Sequence, residues 1–212
     1  MKINTTKCKT LHLSAKNPRI SYSCQGLVIP TVSIIRDLGL IPDEKLSFCK
    51  HSIMIQQKLL KLIAIIFKTF ISSNINLYLL AYRTYVLHLL DYCPIFYSHN
   101  SASNSALIEK VQKILTRNLY LKAQLHSQLL TIPKYQDRLQ CFHLSDLRPR
   151  FVKSDLLILY KIINNLVSVL SFSIKFSIRH ANLIFISPIE LSLYKNFFFH
   201  CSLVEWNKHK NK

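Results

Sequence analysis

Cys49-x-His51, Cys141-x-His143 and the adjacent His200-Cys201 are the nearest approaches to metal-ligand spacing in this chain. A closed tetrahedral zinc site draws its four donors from paired spacings such as C-x-x-C and H-x-x-x-H. Neither occurs, so these residues are expected to be ordinary core or surface side chains. The carboxylates offer no more. Asp37, Asp43, Glu44, Asp91, Glu109, Asp137, Asp146, Asp155, Glu190 and Glu205 are spread along 212 residues with no Asp-Asp pair. Two-metal chemistry needs carboxylates that converge on the ions, and this spacing converges none. Asp43-Glu44, the one adjacent acidic pair, suits the start of a helix ahead of Leu46. Gly26 and Gly39 are the only glycines, which excludes a Gly-rich phosphate loop and a dinucleotide fingerprint. None of the nine histidines stands in a known nucleophile context. No catalytic residue and no metal ligand is assigned.

The chemistry the chain can do is electrostatic. Lysine and arginine number 28 against 10 acidic residues, a net charge of +18. Such an excess points to a polyanionic partner, nucleic acid first and an anionic membrane surface second, with a soluble basic domain that has no such partner as the alternative. A spanning helix is not expected: Leu59 to Phe70 carries Lys61 and Lys68, and Ile162 to Ile174 is short and holds Asn164 and Asn165. The opening MKINTTKCKT has no apolar h-region, and the six cysteines are scattered. Reduced thiols in an intracellular protein, nuclear or cytoplasmic and not secreted, are the expectation.

The elements that would carry this charge centre on Asn74 to Leu121. Leu77, Leu80 or Ala81, Thr84, Leu87 or His88 and Asp91 recur at helical spacing, with apolar residues on most of the circumference, which predicts a buried helix. A Ser/Asn turn follows. Ser101 and Ser103 are N-cap candidates for a second helix whose apolar positions are Leu107, Ile108, Val111, Ile114, Leu115 and Leu119, with Glu109, Lys110, Lys113, Arg117 and Lys122 on its other faces. Before these, Lys7 to Leu13, Ile20 to Ile29 (broken at Gln25-Gly26) and Val32 to Ile41 alternate like short strands. Three such strands must pack on something else to persist. From Ser47 to Phe70, Ile53, Gln56 or Gln57, Leu60, Ile63, Phe67 and Phe70 mark a further helix, which Ser72-Ser73-Asn74 ends. Beyond Pro133, the run Leu139, Phe142, Leu144, Leu147, Phe151, Leu156, Leu159 and Ile163 predicts a helix, a turn at Ser145-Asp146 and a longer helix with Pro149 in its first turn. Residues 166–199 show no clean period, and Trp206 is expected to pack. The fold class is therefore mainly α with a small N-terminal β element, an α+β arrangement in which a partial sheet leans on a helical bundle. Its divisions are 1–46, 47–125 and 126–212.

Several stretches resemble a known family. Tyr82-Arg83-Thr84-Tyr85-Val86, Leu90-Asp91-Tyr92-Cys93, Ile108-Glu109-Lys110-Val111-Gln112-Lys113 and Thr116-Arg117 are similar to the helical region that follows the catalytic palm in reverse transcriptases of non-LTR (LINE-type, jockey/CR1-like) retrotransposons. Arg36-Asp37-Leu38-Gly39, Tyr135-x-x-Arg138-Leu139, Asp155-Leu156, Tyr160-Lys161, Phe198-Phe199 and Trp206-Asn207 extend the similarity over nearly the whole chain. Leu87-His88 stands where the family has Arg-Pro, Tyr97 where it has Trp, Phe151 where it has a second Arg, Cys201 where an Arg follows the two Phe, and His209-Lys210 where it ends in Leu-Pro.

The resemblance implies a fragment of an RNA-directed DNA polymerase comprising palm-end strands, a helical thumb-like region and a connection region. The family's catalytic aspartates lie upstream of the part matched, so the fragment is expected to be inactive alone. It would need no cofactor, with a divalent metal such as magnesium expected only for the full-length enzyme. The implied partner is an RNA/DNA primer-template, with no small-molecule substrate. Lys110, Lys113, Arg117 and Lys122 are the expected phosphate contacts, with Arg138, Arg148 and Arg150 as a second set. The competing expectations are a decayed, partly folded relic without function, and a basic protein associated with membrane surfaces through Leu59 to Phe70.

Overall fold

In the computed structural model of the chain, residues 3–14, 17–92, 94, 102–123, 131–167 and 198–210 are described. The Ser101 cap, Cys93, Tyr97, Glu190 and nearly all of the 166–199 tail lie outside them, as do the side chains of Phe198, Phe199 and His200. The fold is mainly helical with a small antiparallel sheet near the N-terminus. It divides into two compact units, Met1–Ile55 and Gln56–Lys212.

In the first unit, β1 (Ser23–Cys24) pairs antiparallel with β2 (Leu27–Val28). The turn between them has Gln25 at φ 53° and Gly26 at φ 77°, the two left-handed residues that a tight hairpin matching the strand twist requires. The strands expected over Lys7 to Leu13 and Val32 to Ile41 do not form. Thr10 bridges Thr31, Ile34 bridges Asp43, and Asp37 bridges Leu40 as isolated pairs. Leu38, at φ 45°, interrupts the second run, and at such a residue a ladder cannot continue; the first run opens inside a 3-10 turn, Thr5–Lys7. Asp43 serves the approach to the next helix: its Oδ1 accepts the amides of Lys45 at 3.1 Å and Ser47 at 2.8 Å. Glu44 pairs with Arg19 at 3.2 Å.

His51 is 1 % exposed, and burial lowers its pKa from the ordinary 6.5. A histidine that resists protonation when folded binds its proton more readily in the unfolded chain, so its contribution to stability is present above that pKa and is lost as pH falls below about 6.5. Denaturant titrations at about pH 7.5 and about pH 5.5 are expected to show this loss, with a slope of at most about 1.4 kcal/mol per pH unit from this one group. His51→Gln is expected to flatten the slope.

Helix α1 (Cys49–Thr69) buries Leu59, Ile63 and Ile66. A corner follows in which the Tyr78 hydroxyl donates to the carbonyls of Phe70 and Ser72, and the Asn74 side chain accepts the Asn76 amide at 3.0 Å, an N-cap for α2 (Ile75–Ala81). The chain continues as a π-helical stretch (Tyr82–Leu87) and α3 (His88–Leu90). The buried face is only partly the one predicted. Ala81 is buried and Leu87 half-buried, but Leu77, Leu80, Thr84, His88 and Asp91 are exposed, while Tyr78, Tyr82, Val86 and Leu90 are all 0 % exposed. Those four are spaced by four, and each such step overshoots an α-helical turn by about 40°. The wider π stretch absorbs the excess and keeps them on one side.

Helix α4 (Ala102–Ala123) lies against α2. Helix α5 (Tyr135–Cys141) packs on α4, and α6 (Leu147–Ile163) packs on α7 (Phe198–Lys210). Both α5 and α6 end in the same way. His143 at φ 50° and Asn165 at φ 53° occupy the left-handed position, and the bonds Leu144 N to Leu139 O and Leu166 N to Lys161 O close each helix. Trp206 packs with Ile163 against Leu159 and Leu203. Among the described residues no helix is long and apolar enough to cross a membrane, and Cys8, Cys24, Cys49, Cys141 and Cys201 are free thiols.

Candidate nucleic-acid interface

Helix α4 has no Gly or Pro, and its apolar residues repeat at three and four. Ile108, Val111, Leu115 and Leu119 are each 0 % exposed; burying each contributes roughly 1.5–3 kcal/mol. That fixed side determines what the opposite side presents. Lys110, Lys113 and Arg117 are exposed, and at spacings of three and four they fall within about 60° of arc and span about 10 Å along the axis. The result is a short row of cations on one line. Leu121, 46 % exposed, continues it.

The polar residue just before each of these cations turns inward. Gln112 accepts from the Tyr82 hydroxyl at 2.6 Å and donates to the Ser145 carbonyl at 2.8 Å. Glu109 accepts from the Tyr135 hydroxyl and, at 3.2 Å, from the Leu147 amide. Burial, with Glu109 nearby, pushes both tyrosine hydroxyls well above their usual pKa, so they stay neutral donors. Thr116 returns its hydroxyl to the Gln112 carbonyl at 2.9 Å. Glu109, Gln112 and Thr116 therefore clamp α4 to the π-helical stretch, to α5 and to the start of α6. Sequence reading put Glu109 on an outer face and gave the other two no role; their alternation with Lys110, Lys113 and Arg117 was the available signal.

The remaining expected contacts are placed differently. Lys122 sits off the row, its Nζ 4.9 Å from the Tyr78 ring centre. Lys113 lies 5.3 Å from the Tyr135 ring centre and stays exposed. Arg138 is 9 % exposed and bonded inward: Nη1 to the Pro133 carbonyl at 2.6 Å, Nε to Thr116 Oγ1 at 3.3 Å and Nη2 to the Lys113 carbonyl at 3.5 Å. That guanidinium is a structural corner rather than an open phosphate contact. Arg150 forms a two-pronged pair with Asp91, at 2.7 and 2.5 Å, which raises its pKa. Arg148, in the first turn of α6, is exposed. Among the described residues no three His, Cys, Asp or Glu are grouped to hold a metal ion. The chain matches no family model, no curated protein and no solved structure.

Proposed function

We propose that the helical unit grips nucleic acid as the thumb-like part of a LINE-type RNA-directed DNA polymerase fragment, holding an RNA/DNA primer-template without catalysing its extension. The row Lys110, Lys113 and Arg117, outward on a helix whose reverse side is locked, carries the reading. Cations on one line neutralise successive phosphates and release their counterions, which gives affinity without reading sequence. A hybrid duplex near A-form suits such contacts, because its shape and 2′-hydroxyls rather than its base edges are accessible.

Support also comes from bonds between the motifs that carry the family resemblance. Tyr82 bonds Gln112, Tyr135 bonds Glu109, and Arg138 bonds Thr116. These are pairings of residues 22 to 30 positions apart in the sequence, and they give the quoted motif residues a shared structural reason. Filter binding of a labelled RNA/DNA primer-template tests the proposal. With three phosphates neutralised, affinity is expected to fall about 40-fold between about 50 and 200 mM salt. Binding that ignores salt, or no binding, overturns it.

A further inference from the structure

Beside the π-helical stretch lies a cavity of about 310 Å³ whose wall includes Arg83, Gln112, His143, Asp146 and Arg150. Lys110, Lys113 and Arg117 are not part of it. Two of its charged groups are uncommitted. Among the described residues Arg83 has no carboxylate partner, whereas Arg150 is held by Asp91. Asp146 occupies the N-cap position of α6, yet its side chain caps nothing; the first amide of that helix, Leu147 N, is taken by Glu109. His143, whose backbone takes the left-handed position that closes α5, also lines the wall. The π-helical geometry that places Arg83 here is itself a feature that recurs at functional sites.

We infer that this cavity binds a ribonucleoside phosphate, with Arg83 on the phosphate and Asp146 on the ribose hydroxyls. A guanidinium matches phosphate oxygens in charge and geometry. A carboxylate in the same wall repels phosphate but accepts hydrogen bonds from ribose hydroxyls, so a ligand that carries both groups satisfies both side chains. A simple zwitterion would also balance the two charges. It would leave the His143 side chain in the same wall without the extra oxygens that a phosphate brings. The volume is at the small end of ligand sites, which run from roughly 300 to 1,000 Å³, and suits one nucleotide rather than a stretch of duplex. The inference stands apart from the duplex-grip reading, since no residue of the basic row lines the cavity.

Equilibrium dialysis of the full chain tests it with adenosine 5′-monophosphate, its 2′-deoxy counterpart and adenosine. The ribonucleotide is expected to bind about tenfold more tightly than either of the others. Arg83→Gln, at an exposed position, is expected to reduce its affinity to that of adenosine. Asp146→Asn breaks no capping bond and keeps a residue favoured at an N-cap; it is expected to abolish the preference for ribose. A 5′-phosphorylated RNA tetranucleotide that displaces the mononucleotide assigns the site to a strand end, and failure to displace assigns it to free nucleotide; both support the inference. No saturable mononucleotide binding, equal binding of ribo and deoxyribo forms, or binding unchanged in the two variants overturns it.

Discussion

Replacing Lys110, Lys113 and Arg117 together by glutamine is expected to weaken primer-template binding roughly a thousandfold at about 50 mM salt and to reduce the slope of log affinity against log salt by about 2.7. The magnitude follows from three neutralised phosphates, each releasing about 0.9 of a counterion. The effect shrinks as salt rises, because screening removes the same term in the parent protein. Folding is expected to survive. All three side chains are exposed, and exposed substitutions usually change stability by less than about 0.5 kcal/mol. Lys113 adds its contact with the Tyr135 ring, worth about 0.5–1 kcal/mol at an exposed site. Lys122→Gln is the matched control: it removes one positive charge from the same helix but off the row, and is expected to change binding little. Filter binding and a thermal melt on the same samples check both statements. A triple variant that binds like the parent removes the basis of the duplex-grip reading, whatever other basic surface the chain offers.

How much of this was legible in the sequence differs from helix to helix, for physical reasons. In α4 the burial was legible because Ile108, Val111, Leu115 and Leu119 follow an ordinary helical period, and the exposure of Lys110, Lys113 and Arg117 followed from it. In the helix before it, apolar residues occupy most of the circumference, so the period could not choose a face. The face spaced by four, Tyr78, Tyr82, Val86 and Leu90, became the buried one through a π stretch that no local signal announced. In the N-terminal unit the alternation was real, but Leu38 adopts a left-handed backbone that such a residue rarely takes, and propensity alone does not foresee it. For the basic residues beyond α4, charge was visible and burial was not. Arg117 and Arg138 look alike in the sequence; one faces solvent and the other is enclosed. The cavity was invisible for a related reason, since Arg83, His143 and Asp146 come from three separated segments and no spacing joins them.

Arg138 is where the two uses of a positive charge separate most cleanly in experiment. Its guanidinium reaches the Pro133 carbonyl, the Thr116 hydroxyl and the Lys113 carbonyl, and lies 5.7 Å from the Tyr135 ring centre. It ties the segment before α5 to the middle of α4. Arg138→Met keeps much of the buried bulk but removes every donor, leaving the Pro133 carbonyl without the 2.6 Å bond it receives here. Hydrogen bonds to charged groups contribute about 1.5–3 kcal/mol each, and the 3.5 Å contact is at the limit of bonding, so a loss of about 3 kcal/mol is expected. For a unit of this size that lowers the melting temperature by roughly 10 °C. Arg138→Lys is expected to recover little, because a single ammonium cannot reproduce the planar fork that serves three acceptors at once. A phosphate contact would behave in the opposite way: the methionine variant would melt like the parent and lose salt-dependent affinity, and the lysine variant would restore most of it. Melting curves and binding isotherms on the two variants therefore distinguish a corner of the fold from a contact to the duplex, and a parental melting temperature for Arg138→Met overturns the structural assignment.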